Sequence, residues 1–172
     1  MNINTLIFII VFFIITSTFV FAYMLNLKAF IIKNKEKRIR EVFKNRSNLI
    51  YGLYHVTKKY SDKSDMIFKN ILEYKKIELF GVENSSIIEF IKLQSKIHYE
   101  LSFVIKFINV IEKTKKDEKL TVIKDEINKV SLEIWDELND YKKLIKDYNK
   151  ILKYKKYTIL WNLIPTKEFL EI

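Results

Sequence analysis

The chain contains no cysteine, which excludes disulfides, zinc fingers, iron–sulfur ligation and thiol nucleophiles. Glycine occurs twice and proline once in 172 residues. Hairpins and tight turns depend on both residues, so a turn-rich β fold is excluded with them. Two glycines also leave no material for a phosphate-cradling loop. Histidine is nearly as scarce. His55 and His98 lie far apart, outside any H-E-x-x-H or E-x-x-H pattern, so a metal site in a helix bundle lacks its usual ligands.

What remains is rich in material for a core. Hydrophobic residues make up 49% and aromatics 15% of the chain. Disordered chains are poor in both. With so few helix breakers, the composition points to an all-α protein. The net charge of +10 fits nucleic acid, an anionic membrane face, or a lysine-rich background with no partner.

No charged side chain precedes Lys28. Residues 6–27 are almost wholly Ile, Phe, Val and Leu, and about 20 such residues span the hydrocarbon of a bilayer. Thr16, Ser17 and Thr18 do not spoil the span, because their hydroxyls can bond back to the helix. A cleaved signal peptide has a basic leader, a shorter apolar run and a small-residue cleavage site. None of the three is evident, so the run reads as an uncleaved anchor. Lys28, Lys33, Lys35, Lys37, Arg38 and Arg40 follow it. The positive-inside rule therefore sets the short N-terminus outside and the rest in the cytoplasm.

Apolar spacing defines the remaining elements. Ile39, Val42, Leu49, Leu53, Val56 and Tyr60 form a heptad stripe interrupted only by Arg46. No breaker separates this stripe from the anchor, which allows one continuous helix. Polar residues 61–64 mark a bend. Ile67, Ile71, Tyr74 and Glu78 give a shorter stripe, and residues 81–85 a loop. Ser86 with Glu89 fits a capping box. The next helix carries Ile87, Ile91, Gln94, His98, Leu101, Ile105 and Ile108 on one stripe, which makes His98 a hydrogen-bonded core residue. After a polar break over 113–119, the last long helix runs from Leu120 through Ile127, Ile134, Tyr141 and Tyr148 to Leu152.

The expected architecture is a transmembrane helix followed by an antiparallel, up-down bundle of three to four long helices. Its parts are a short tail (1–5), the anchor (6–27), a bundle with a basic juxtamembrane stem (28–156) and an apolar C-terminal tail (157–172). That tail either packs on the bundle or lies on the membrane surface.

Two stretches resemble the LemA family. The first is Lys44-Asn45-Arg46-Ser47-Asn48-Leu49-Ile50-Tyr51-Gly52-Leu53. Its Arg46, Leu49, Ile50 and Leu53 match the family pattern of arginine, an acid, then Leu-Ile-Pro-Asn-Leu. Asn48, Tyr51 and Gly52 depart from it. The second is the pair Tyr148-Asn149 with the apolar tail ending near Phe169 and Leu170. The resemblance implies an N-terminal membrane helix, an outward N-terminus and a helical bundle. It implies no reaction.

Few residues suggest chemistry. Arg46 on an apolar stripe either pairs with a buried acid and fixes helix register, or packs its stem at the core edge with its guanidinium in water. Glu133, Asp136, Glu137 and Asp140 form an acidic band, read as a solvated face paired with Lys129 and Lys143. Lys142, Lys143, Lys146, Lys150, Lys153, Lys155 and Lys156, with Trp161 beyond them, suit either anionic lipid headgroups or an ordinary wet face. The expectation is a non-catalytic protein without cofactor, integral to the lipid bilayer, binding an unidentified protein as scaffold or sensor. A lipid-organising role through the lysines and tail is the alternative. Nucleic acid is not expected, since no reader motif is present.

Overall fold

A computed structural model describes residues 2–81, 86–111 and 117–154 of the chain. The described residues form four helices and no strand: α1 (Ile3–Thr57), α2 (Ser64–Gly81), α3 (Ile87–Val110) and α4 (Glu118–Tyr154). The chain divides into two compact units. One comprises Met1–Lys37 with Asn139–Ile172, the other Arg38–Leu138.

The larger unit is a four-helix bundle. Ile50 and Leu53 of α1 meet Phe68 and Ile71 of α2, Ile97, Leu101, Val104 and Ile108 of α3, and Leu120 and Ile127 of α4 in one buried cluster. Fully burying a side chain of this size contributes about 1.5–3 kcal/mol. Paired residues give the directions. Moving up α1, Tyr54 packs on Phe68 while Lys75 reaches back to Ser47, so α2 runs antiparallel. Phe43 meets Phe90 and Arg46 meets Gln94, so α3 runs parallel to α1. Arg38 pairs with Glu133 and Tyr60 with Asp117, so α4 runs antiparallel. The order is up, down, up, down, as the sequence predicts.

Local chemistry sets the ends. Beyond Thr57 the chain tightens, with the N–H of Lys59 donating to Val56 O and that of Tyr60 to Thr57 O. The Ser64 hydroxyl donates to Ser61 O at 2.7 Å, closing the predicted bend. Ser86 forms the expected capping box: its hydroxyl accepts from Glu89 N and its own N–H donates to the Glu89 carboxylate. Asp117 starts α4, accepting from the N–H groups of Lys119 and Leu120 at 2.8 and 3.2 Å. This satisfies donors that a helix start leaves unpaired.

The smaller unit is built differently. Residues from Ile3 onward are helical, including 3–5, which the sequence reading placed in a tail. The helix is long and apolar enough to cross a membrane, and none of its most apolar 18-residue stretch is buried. Thr16 and Thr18 return their hydroxyl hydrogen bonds to Phe12 O and Ile14 O at 2.8 Å. Further along α1, Leu25 and Ile32 are buried, as are Tyr141, Ile145 and Tyr148 of α4. Lys35 pairs with Asp140 at 3.2 Å, and the Tyr141 hydroxyl donates to Glu36 at 2.8 Å. The side chain of Glu78, the loop residues 82–85, residues 112–116 of the polar break and the tail 157–172 lie outside the described residues.

Candidate functional site

The centre of interest is the buried polar group where α1 meets α3. Arg46 is only 3% exposed, although it is the cation that interrupts an apolar stripe. Its guanidinium does not reach water, so the core-edge reading of this residue is set aside. Nη2 donates to the Gln94 backbone carbonyl at 3.2 Å and to Gln94 Oε1 at 3.1 Å. Gln94 is 1% exposed, and its Nε2 has no hydrogen-bond partner among the described residues.

Aromatic faces complete the surroundings. The guanidinium carbon of Arg46 lies 4.9 Å from the Phe43 ring centre, and Phe43 meets Phe90 edge-on at 5.4 Å. The Arg40 guanidinium lies over the Phe90 ring, 4.8 Å from its centre. A guanidinium over an aromatic face is attracted by the ring quadrupole. Arginine stays charged in proteins and donates only, so Arg46 is not itself an acid–base group.

His98 stands one turn beyond Gln94 and is exposed, not part of the core. A regular 3–4 alternation from Ile87 runs through His98 and Ile105. The helix instead buries Ile97 and Val104, leaving Ile105 half-buried. An apolar neighbour one residue earlier lets the imidazole remain in water. The His98 pKa is lowered, first by partial desolvation and then by the charge of Arg46.

The other motif residues are structural. Ile50 and Leu53 belong to the buried cluster, and Leu49 packs against it half-buried. In the smaller unit Tyr148 is buried and Asn149 half-buried. Lys142, Lys143, Lys146, Lys150 and Lys153 are all exposed. Lys155, Lys156 and Trp161 lie outside the described residues.

The acidic band has partners that the sequence did not disclose. Arg38 binds Glu133 at 2.7 Å and approaches Glu137 at 3.8 Å. Lys129 has no part in these pairs, whereas Lys143 reaches Asp140 at 3.8 Å as expected. Another pair the sequence missed is the Tyr60 hydroxyl donating to Asp117 Oδ2. That bond lowers the Asp117 pKa and raises that of Tyr60. A comparable group links Tyr54, Lys58 and Asp65: the Tyr54 hydroxyl donates at 2.6 Å and Lys58 Nζ at 3.0 Å. Their hydrogen bonds, Tyr54 first, lower the Asp65 pKa.

Set against known proteins, the chain matches no family model, no curated protein and no solved structure.

Proposed function

We propose that the chain is a LemA-like, single-pass membrane protein whose cytoplasmic helical bundle binds other proteins and catalyses no reaction. The observation that carries this reading is α1 itself. Its first part is uncovered apolar surface of membrane-spanning length, and the same helix continues without interruption into bundle residues as far as Thr57. A core helix would be buried; an uncovered apolar one of this length suits a lipid surround. Of the LemA-like positions, Arg46, Ile50, Leu53 and Tyr148 are buried, and Leu49 and Asn149 are half-buried.

The protein-binding part rests on the bundle's surface. Leu132 and Trp135 of α4 are 69% and 63% exposed, one helical turn apart. Tryptophan is enriched where proteins meet. The buried polar centre links α1 to α3 through Arg46 and Gln94.

The absence of native cysteine makes the topology directly testable. A single Asn2→Cys is expected to react with a membrane-impermeant maleimide in intact cells, and a single Glu126→Cys only after permeabilisation. The opposite pattern contradicts the cytoplasmic assignment. A photo-crosslinking residue at Trp135 is expected to capture a defined partner from membranes. If the adducts at Trp135 are indistinguishable from those at exposed Lys129, the binding role is contradicted.

A further inference from the structure

We infer that the foot of the anchor is a binding site for anionic phospholipid headgroups, formed by Lys28 of α1 with Lys146, Lys150 and Lys153 of α4. The inference rests on the reading of residues 6–27 as a membrane span, and it names a ligand of that same anchor.

The argument lies within the smaller unit. Its described residues carry nine lysines against three acids. Two of those acids are engaged inside the unit, Glu36 by Tyr141 and Asp140 by Lys35. Lys28, Lys33, Lys146 and Lys153 have no acidic partner among the described residues, and Lys150 only approaches Asp147 at 4.0 Å. Spacings of four and three place Lys146, Lys150 and Lys153 on one face of α4. Tyr141, Ile145 and Tyr148 occupy the buried face.

Register then decides where that face stands. The Lys35–Asp140 and Glu36–Tyr141 pairs fix two antiparallel helices against each other. Both rise about 1.5 Å per residue, so the register carries along them. It sets Ile145 opposite buried Ile32, and half-buried Leu152 opposite buried Leu25. By the same step Lys150 stands opposite residues 25–27, where the apolar span ends, and Lys153 about one turn further. Lys146 is then about 6 Å out from Lys150, whereas Lys142 is about 12 Å out. Charges act on a membrane surface within a screening length of about 8–10 Å. The lower three lysines fall inside that range, and Lys142 and Lys143 at its edge or beyond. Long lysine stems let the ammonium groups reach the headgroup plane. A basic residue at that depth multiplies affinity for anionic lipid by about fivefold.

The test uses the full chain reconstituted in bilayers of phosphatidylcholine with phosphatidylglycerol. Electron paramagnetic resonance of spin-labelled lipids reads the ratio of phosphatidylglycerol to phosphatidylcholine in the immobilised first shell. The expected ratio is well above one and falls with added salt. Lys150→Gln with Lys153→Gln should bring it close to one. Lys142→Gln with Lys143→Gln removes the same charge from the same helix and should change it less than about twofold. Lys150→Arg with Lys153→Arg should retain it, a control should the glutamine variant lose helicity. A ratio of one in the unaltered, incorporated protein overturns the inference. Equal losses from the two glutamine pairs overturn it too, as does a ratio of one in a protein that instead shifts an RNA probe. Failure of the chain to incorporate at all would contradict the anchor reading, which is a separate outcome.

Discussion

Arg46 and Gln94 meet side chain to side chain at 3.1 Å, and a second bond from the same Arg46 nitrogen reaches the Gln94 carbonyl. One guanidinium nitrogen therefore holds both the backbone and the side chain of a single residue on α3. Both side chains are buried, so water does not compete for these bonds. Hydrogen bonds to charged groups contribute about 1.5–3 kcal/mol each. They act here as a register pin between two parallel helices.

Arg46→Lys keeps the charge and loses the planar fork. It is expected to destabilise the bundle by about 1–3 kcal/mol. Urea unfolding of the full chain in micelles, followed by circular dichroism, measures it. A cycle of Arg46→Met, Gln94→Met and the double variant should give a coupling of about 1.5–3 kcal/mol. Simple additivity would show that the two residues are neighbours without a pin.

Gly52 sits inside α1, where glycine costs about 0.5–1 kcal/mol relative to alanine. A Cβ there would lie 3.8 Å from Ile123 Cδ1, an ordinary contact. Gly52→Ala should therefore raise the melting temperature, with a gain of about 0.5–1 kcal/mol. A fall in melting temperature would mean that α1 and α4 lie closer than the structure has them.

The capping box at α3 offers a local test. Ser86→Ala removes an acceptor that satisfies Glu89 N at 3.3 Å. The expected loss is about 1 kcal/mol, and hydrogen exchange should quicken first at the start of α3.

Stability should depend on pH in two separate windows. The His98 pKa is lowered in the folded chain, so the unfolded chain binds the proton more readily. Its contribution is complete above the ordinary value of 6.5 and declines as pH falls through it. Asp65 and Asp117 are also lowered, so their contribution is present above the ordinary 3.8 and is lost as pH falls through the folded values. Thermal melts between pH 7 and pH 3 should therefore show two declines. His98→Gln should flatten the first. Tyr60→Phe removes the donor to Asp117 and should shrink the second.

The parts of the fold that rest on local pattern were legible in the sequence. Helix number and order, the bend near Ser61, the Ser86–Glu89 cap and the continuity of α1 follow from apolar spacing, polar breaks and the absence of breakers. His98 was misplaced because a strict 3–4 alternation drifts from the helical repeat, and Ile97 claims the buried position. The Asp117 cap lay hidden in a lysine-rich stretch with several acids to choose from. Arg46 was legible as an anomaly, and so was Gln94, a second polar residue on an apolar stripe. Their pairing was not, because residues so far apart in sequence leave no local trace of contact. The same holds for Arg38 with Glu133 and for Lys35 with Asp140, which decide what the acidic band does.

The central claim, that apolar residues 6–27 hold the protein in a membrane, is tested most directly by alkaline carbonate extraction of membranes from cells making the full chain. The account predicts that the full chain stays in the membrane pellet, while a chain lacking residues 2–27 appears in the supernatant. Release of the full, uncleaved chain into the supernatant would contradict it.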